Sequence, residues 1–402
     1  MEKPITRIAV LKNPVQNYPW GSKSFIPQLL GNPFPAETPQ AELWMGVHPN
    51  GPSMVSGAGT WMPLQDMIEN DPEGVLGTAV AKKFSNALPF LFKILAADRP
   101  LSVQAHPNRT QAREGFAREN ALHVPLTSAQ RGYKDENHKP EILCALRPFW
   151  LLKGFRKISE ILDFMDYAGI PALGAPLRKG PGEEGLRAFF STLMTMGKDE
   201  QQRTVREAVK AAQSRSQADS ALDWVSKLDQ IFPGDIGVLA PLFLNVLCLE
   251  PGESVFLRAG ELHAYLEGAG VELMANSDNV LRGGLTSKHV DIPELLRIVN
   301  FTSEQSRVLR PEPQENGEVL YVTPAEEFAL SVISLNGHSS FKSSQNRSVE
   351  MVICVEGKGR ITDLGRGDQL LFERGTAMII PADVQQYEIQ GKTMIYKAAT
   401  PF

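Results

Sequence analysis

Between residues 153 and 234 the chain changes its periodicity, and this restricts its possible folds more than any other feature. "ISEILDFMDYA", "GLRAFFSTLMTM", "DEQQRTVREAVKAAQ" and "ADSALDWVSKLDQIF" carry apolar residues at three- and four-residue spacing among good helix formers. Gly180-Pro181-Gly182 and Pro233-Gly234 punctuate the block. On its N-terminal side, short apolar runs such as "ALPFLFKILA" (87–96) and "PLSVQAHP" (100–107) stand among Pro and Gly, the texture of strands joined by long loops. Strand-like runs return at "FLNVLCLEPGESVFLRAGELHAYLEG" (243–268). The expected fold is therefore mainly β with a helical insertion. With 402 residues there is room for two or three domains. We expect a β domain from residues 1–152 together with 235–300, a helical insertion over 153–234, and a C-terminal β domain over 301–402.

An internal similarity refines this. Without gaps, "PGESVFLRAGELHAYLEG" (251–268) lies over "RGTAMIIPADVQQYEIQG" (374–391), matching Gly252 to Gly375, Ala259 to Ala382 and Gly268 to Gly391. Strand, tight turn and strand at this spacing suit double-stranded β-barrels of the jelly-roll and cupin kind. The alignment sets His263 against Gln386, so the second copy lacks a metal-binding side chain there and a structural role is expected for it.

A net charge of −5 argues against nucleic-acid and anionic-membrane partners. No run approaches the roughly 18 apolar residues of a membrane span, and the N-terminus lacks a signal-peptide core. Cys144, Cys248 and Cys354 are far apart and each lies in an apolar run. Buried free thiols, and hence a cytoplasmic location, are expected.

The chemistry concentrates in a few polar residues. Along "LSVQAHP", Ser102, Gln104 and His106 share one strand face, a polar face bounded by prolines. "YKDENHKPE" (133–141) delivers Glu141 to the entrance of the apolar run "ILCAL", and "GELHAY" offers His263. Two imidazoles and one carboxylate suit a zinc site with an open position, and Gln104 can add a neutral oxygen. Lys93 interrupts "FLFKILA" and is expected to face a polar cavity. "AELWMGVHP" offers Glu42, Trp44 and His48, of which His48 reads as a structural hydrogen-bonding residue and not a ligand. Asn276, Ser277 and Asp278 read as turn formers. His123, His289 and His338 have no cluster around them and read as structural or exposed.

"YKDENHKPE" together with "HAYLEGAGVELMANSDNVLRGGLTSK" (263–288) resembles the signature segments of the type I mannose-6-phosphate isomerases (phosphomannose isomerases). "QNYPWGSK", "AELWMGVHP" and "PLSVQAHPN" are similar to further hallmark stretches of that family, in the same order. The resemblance spans residues ~10–300 and implies cupin-type barrels with one Zn²⁺ per chain, held by Gln104, His106, Glu141 and His263. It implies interconversion of mannose 6-phosphate and fructose 6-phosphate through a cis-enediolate, within carbohydrate metabolism. The family's catalytic arginine falls on Arg282, suited to stabilising the enediolate or helping open the ring. Lys139, His138 and Asp278 are candidates for the proton shuttle, with Glu272 as a fourth. Lys139 or a metal-bound water is favoured over His138, which also reads as an orienting residue. Lys93, Ser102 and Lys288 are implied around the substrate with Trp20 on the wall; Glu272 joins them as a substrate contact. A monomer acting on a small sugar phosphate is expected. Where the family reads RAGxTPK this chain has "RGGLTSK", with Gly283 for alanine and Ser287 for proline, which suggests a looser loop. The competing expectation is a zinc-containing cupin-type sugar-phosphate binding protein without turnover.

Overall fold

The computed structural model describes residues 6–57, 59–214 and 219–401, and its strands form two ten-stranded sheets, each carrying a barrel. In the first, the long strand His263–Ala275 is central. Gly268, at φ 141°, bends it. Beyond the bend it pairs with Glu141–Ala145, while its first residues pair with Phe149–Phe155. Its other edge takes the strand Phe90–Ala97, in a register that sets Glu272 opposite Lys93.

Phe90–Ala97 is buried along its whole length, so its sequence shows no polar alternation. Phe90, Phe92, Ile94 and Ala96 enter the apolar layer between the two sheets, where they meet Leu330, Met351, Ile353 and Ile379 of the C-terminal region. Leu95 and Ala97 turn the other way, into the first barrel with Leu143, Leu257 and Tyr265. Lys93 shares that inward face.

The repeat read from the sequence is present in the backbone. Under the gapless alignment, strands Ser254–Leu257 and Ala377–Ile380 coincide residue for residue, and His263–Ala275 and Tyr387–Ala399 start one residue apart. The paired glycines share their conformations: Gly252 and Gly375 at φ 87° and 88°, Gly268 and Gly391 at 141° and 140°.

One boundary differs from expectation. Ala9–Lys12 pairs with Ala377–Ile380, and Met54–Gly57 and Thr60–Pro63 follow it, so these N-terminal strands belong to the C-terminal sheet. The reason is that Ala377–Ile380 has an edge to cover, and Ala9 and Leu11 bring apolar side chains to the inter-sheet layer while covering it.

The helical block packs on the outer face of the first sheet. Phe189, Phe190, Val205, Val209, Trp224 and Leu228 bury against Leu152, Phe155, Ala264 and Leu266. Its end is fixed by Asp235, whose Oδ1 accepts the Gly237 amide at 2.7 Å. Cys144, Cys248 and Cys354 are free thiols, with Cys144 and Cys354 buried and Cys248 only partly so. Among the described residues no helix is long and apolar enough to cross a membrane.

Candidate metal centre and cleft

His106, Glu141 and His263 converge. All three are buried, and their ligand atoms lie within 4.8 Å of one another. The strand register explains the convergence. His263 pairs with Gln104, two residues before His106, and Met274 of the same strand pairs with Glu141. Each imidazole is oriented from behind: Nδ1 of His106 donates to the Asn279 carbonyl at 2.7 Å, and Nδ1 of His263 to the Glu261 carbonyl at 2.9 Å. With the proton on Nδ1, both Nε2 lone pairs face Glu141, at 3.5 and 3.6 Å.

Lone pairs aimed at a carboxylate repel. Nε2 of His106 and Oε2 of Glu141 are buried without any hydrogen-bond partner. Burial, with His106 beside it, pushes the His263 imidazole down to about 4, which keeps it from supplying the missing positive charge near neutral pH. Burial opposes ionisation of Glu141, yet Lys139, His106 and His263 hold its carboxyl well below the usual range. Two imidazole nitrogens and a carboxylate converging on one point fit a divalent cation that takes nitrogen and oxygen ligands, zinc above all. Nε2 of Gln104 lies 3.4 Å from Nε2 of His263, and turning the amide over presents its oxygen to the same point.

A cleft of about 610 Å³ opens from this centre, and Trp20, Ser102, Gln104, Lys139, Glu141 and Arg282 all line it. Lys139 Nζ is 3.2 Å from Oε1 of Glu141. Strand Leu281–Gly284 pairs with Val103–Ala105 and sets Arg282 against Gln104. Among the described residues no carboxylate pairs with Arg282. Burial pushes its pKa down, and burial together with Arg282 lowers that of Lys288 at the rim. The wall opposite carries Lys93, whose Nζ lies 3.0 Å from Glu272 and 3.7 Å from Glu42. Burial works against the Lys93 charge, but Glu272 and Glu42 raise its pKa overall; burial likewise raises that of Glu272, against the pull of Lys93.

His48 acts as expected of a structural residue. Its Nε2 lies 3.1 Å from Oδ1 of Asp278 while its Nδ1 accepts the Asn50 amide, so it orients Asp278 in the cleft. His123, His289 and His338 are exposed. His138 corrects the expectation that placed it beside the reacting atoms. Its Nε2 meets Glu327 of the C-terminal region at 2.8 Å and it does not line the cleft, because residues alternate along the extended segment and its neighbour Lys139 takes the inward side.

Residues 8–158 match the catalytic domain of type I phosphomannose isomerase, residues 175–244 its helical insertion domain, and residues 318–398 the cupin domain of mannose-6-phosphate isomerase. The mannose-6-phosphate isomerase of Escherichia coli K12 is 41% identical over 385 residues, 95% of this chain and 96% of that one. The chain belongs to the type I phosphomannose isomerases. Among solved structures, a variant of the phosphomannose isomerase of Salmonella typhimurium is similar with TM-score 0.92 and 37% identity, over 98% of this chain and all of that one (100%). A zinc-bound mannose 6-phosphate isomerase is similar with TM-score 0.91 and 38% identity over the same shares.

For a phosphomannose isomerase, the sequence motifs understate two features of the site. Glu42 was noticed in "AELWM" but given no role; it accepts from Trp44 Nε1 at 2.6 Å and flanks Lys93. A charged residue inside an apolar run was the signal, the same one that singled out Lys93. Asn279 ties "YKDENHKPE" to the site: its Oδ1 accepts the Lys134 amide at 2.7 Å and its Nδ2 donates to the Asn137 carbonyl at 2.8 Å. No sequence pattern marked it. The "RGGLTSK" loop is anchored by Asp235, which accepts the Leu285 amide at 2.8 Å and the Thr286 amide at 3.3 Å. A Cβ on Gly283 would come within 3.1 Å of Leu295, so the glycine here makes room for that leucine.

Proposed function

We propose that the chain is a zinc-dependent aldose–ketose isomerase that interconverts mannose 6-phosphate and fructose 6-phosphate. One observation carries the reading: His106 Nε2, His263 Nε2 and Glu141 converge on one point, with His106 Nε2 and Glu141 Oε2 lacking any hydrogen-bond partner, beside an arginine that no carboxylate among the described residues neutralises. Gln104, His106, Glu141 and His263 hold the metal, one ion per chain. Bound zinc supplies Lewis acidity at the sugar oxygens.

The isomerisation removes the proton at C2 of the open-chain aldose and returns one at C1, through a cis-enediolate. Arg282, kept cationic and free of a carboxylate, stabilises the negative charge that develops on O1 and O2. Lys139 is the favoured proton carrier, with Asp278 as the alternative that His48 orients and Glu272 as a further acidic group on the opposite wall. Trp20 closes one side, while Ser102 and Lys288 receive the phosphate with Lys93 in support. The barrel of residues 1–152 and 235–300 does the chemistry, less the N-terminal strands lent to the C-terminal sheet. Residues 153–234 buttress it, and 301–402 serve as a cupin-like support without metal. We take the enzyme to work as a cytoplasmic monomer, a reading supported by three free thiols and the net negative charge.

The test is Arg282→Ala. Loss of a charge-stabilising donor lowers kcat about 10²- to 10³-fold, while zinc remains bound because the arginine is not a ligand. Arg282→Lys restores only part of the rate, since a point charge replaces a planar fork. A near-native rate in Arg282→Ala would contradict the role.

A further inference from the structure

His138 leaves the reacting centre, yet its partner makes it informative. Glu327 belongs to the C-terminal region, just ahead of strand Ala329–Lys342, and its side chain is only 6% exposed. Its Oε1 accepts from His138 Nε2 at 2.8 Å and from Arg109 Nη2 at 2.6 Å. Arg109 opens helix Arg109–Ala121, three residues after the ligand His106. His138 immediately precedes Lys139, and Glu141 follows two residues later. One oxygen from the second barrel therefore grips two of the three segments that deliver ligands to the first. Phe328, the next residue, is buried in the inter-barrel layer and gives this oxygen a fixed base.

We infer that Glu327 is a positioning residue: it holds the His138–Lys139 segment, through the His138 ring, in register with the ligand cluster, so that the metal-free C-terminal barrel contributes to catalysis. This rests on the isomerase reading for its effect on rate, but not for its effect on the segment. The geometry favours the role. The grip is charge-assisted and built on a buried carboxylate, and charge-assisted bonds are the strong ones. Lys139, the residue after His138, lines the cleft with Arg282, and a small displacement of the segment would shift its Nζ against that wall. A merely stabilising contact would not have to converge on two of the three ligand-bearing segments.

The experiment is a double-mutant cycle in the full zinc-loaded chain. Glu327→Ala should lower kcat about 10-fold, with KM for mannose 6-phosphate within about twofold and zinc still one per chain, as expected for misplaced and not missing chemistry. Glu327→Gln keeps an acceptor oxygen and should recover part of the loss. His138→Ala should match Glu327→Ala, and the double variant should be no slower than either single one, because both remove one strut. Glu326→Ala, which removes only the exposed pair to Lys83, serves as the control with native kcat. In parallel, amide hydrogen exchange of the peptide covering 134–141 should quicken in Glu327→Ala. An unchanged kcat, additive losses in the double variant, or a rate loss matching zinc lost would overturn the role. A wild-type chain without isomerase activity would sink the functional reading instead; the exchange arm would still decide whether Glu327 holds the segment.

Discussion

The two barrels place a glutamate at the same point of the repeat and satisfy it in opposite ways. Glu141 stands opposite Leu257 and Glu350 opposite Ile380, positions that the gapless alignment equates. Around Glu141 the nearest groups from the repeat are imidazoles with their lone pairs turned inward. Around Glu350 they are cations: Lys397 Nζ at 3.1 Å and Arg347 Nη1 at 3.4 Å, with Glu318 completing the cluster 2.8 Å from Lys397. Where the first barrel has His263 the second has Gln386, whose amide is spent on the Ser343 carbonyl at 2.9 Å. The scaffold and its inward carboxylate are thus common to both. What sets the first apart is that, besides Lys139 at 3.2 Å, the groups facing its carboxylate are two imidazole nitrogens, where the second barrel adds a further cation. A buried carboxylate needs positive partners; the second barrel supplies two cations from its own sequence, whereas the first supplies one cation and two imidazole nitrogens able to ligate an ion.

Glu141→Gln attacks this contrast where the expected effect is largest. The substitution removes the only charged ligand, so zinc should fall below one per chain and activity by several kcal/mol of barrier, roughly 10³-fold or more. Full zinc and full rate would show that the carboxylate is not a ligand. Lys397→Ala is the counterpart in the second barrel. It strands Glu318, leaves Glu350 to Arg347 alone and should cost about 3–5 kcal/mol of stability in denaturant titration, while kcat per folded, zinc-loaded molecule stays within about twofold of wild type. A stability change near zero would mean that Lys397 is not the cation these carboxylates depend on. A smaller effect concerns acid. In metal-free protein, His263 is held down to about 4, below its unfolded value of 6.5, so it contributes stability above pH 6.5 that is lost as pH falls towards 4. Chelated protein should therefore lose stability over this window, and His263→Gln should flatten the loss. An unchanged slope would assign the acid sensitivity elsewhere.

Much of this was legible in the chain. Short-range order came from periodicity: the helical block, the buried strand "FLFKILA" and the repeat each follow from local spacing. The proposed ligands Gln104, His106, Glu141 and His263 are marked by residue type and by resemblance, since the polar face of "LSVQAHP" and a carboxylate at a strand entrance are local signals. What stayed hidden depends on long-range pairing. Nothing near Ala9 announces that its strand joins Ala377–Ile380, since a short strand with alternating burial reads the same beside any sheet. The inward or outward choice between His138 and Lys139 turns on Glu327, 189 residues away from His138 in the sequence. Asn279 acts through its backbone carbonyl on His106, and a carbonyl leaves no trace in residue type.

The central claim is that four side chains of the first barrel hold one catalytic ion and that the second barrel holds none. Counting zinc in purified chain while following fructose 6-phosphate formation from mannose 6-phosphate, before chelation, after it and after zinc is returned, tests this most directly. The account predicts one zinc per chain, activity that disappears with it and recovers on its return. Turnover that persisted after complete removal of metal would contradict it.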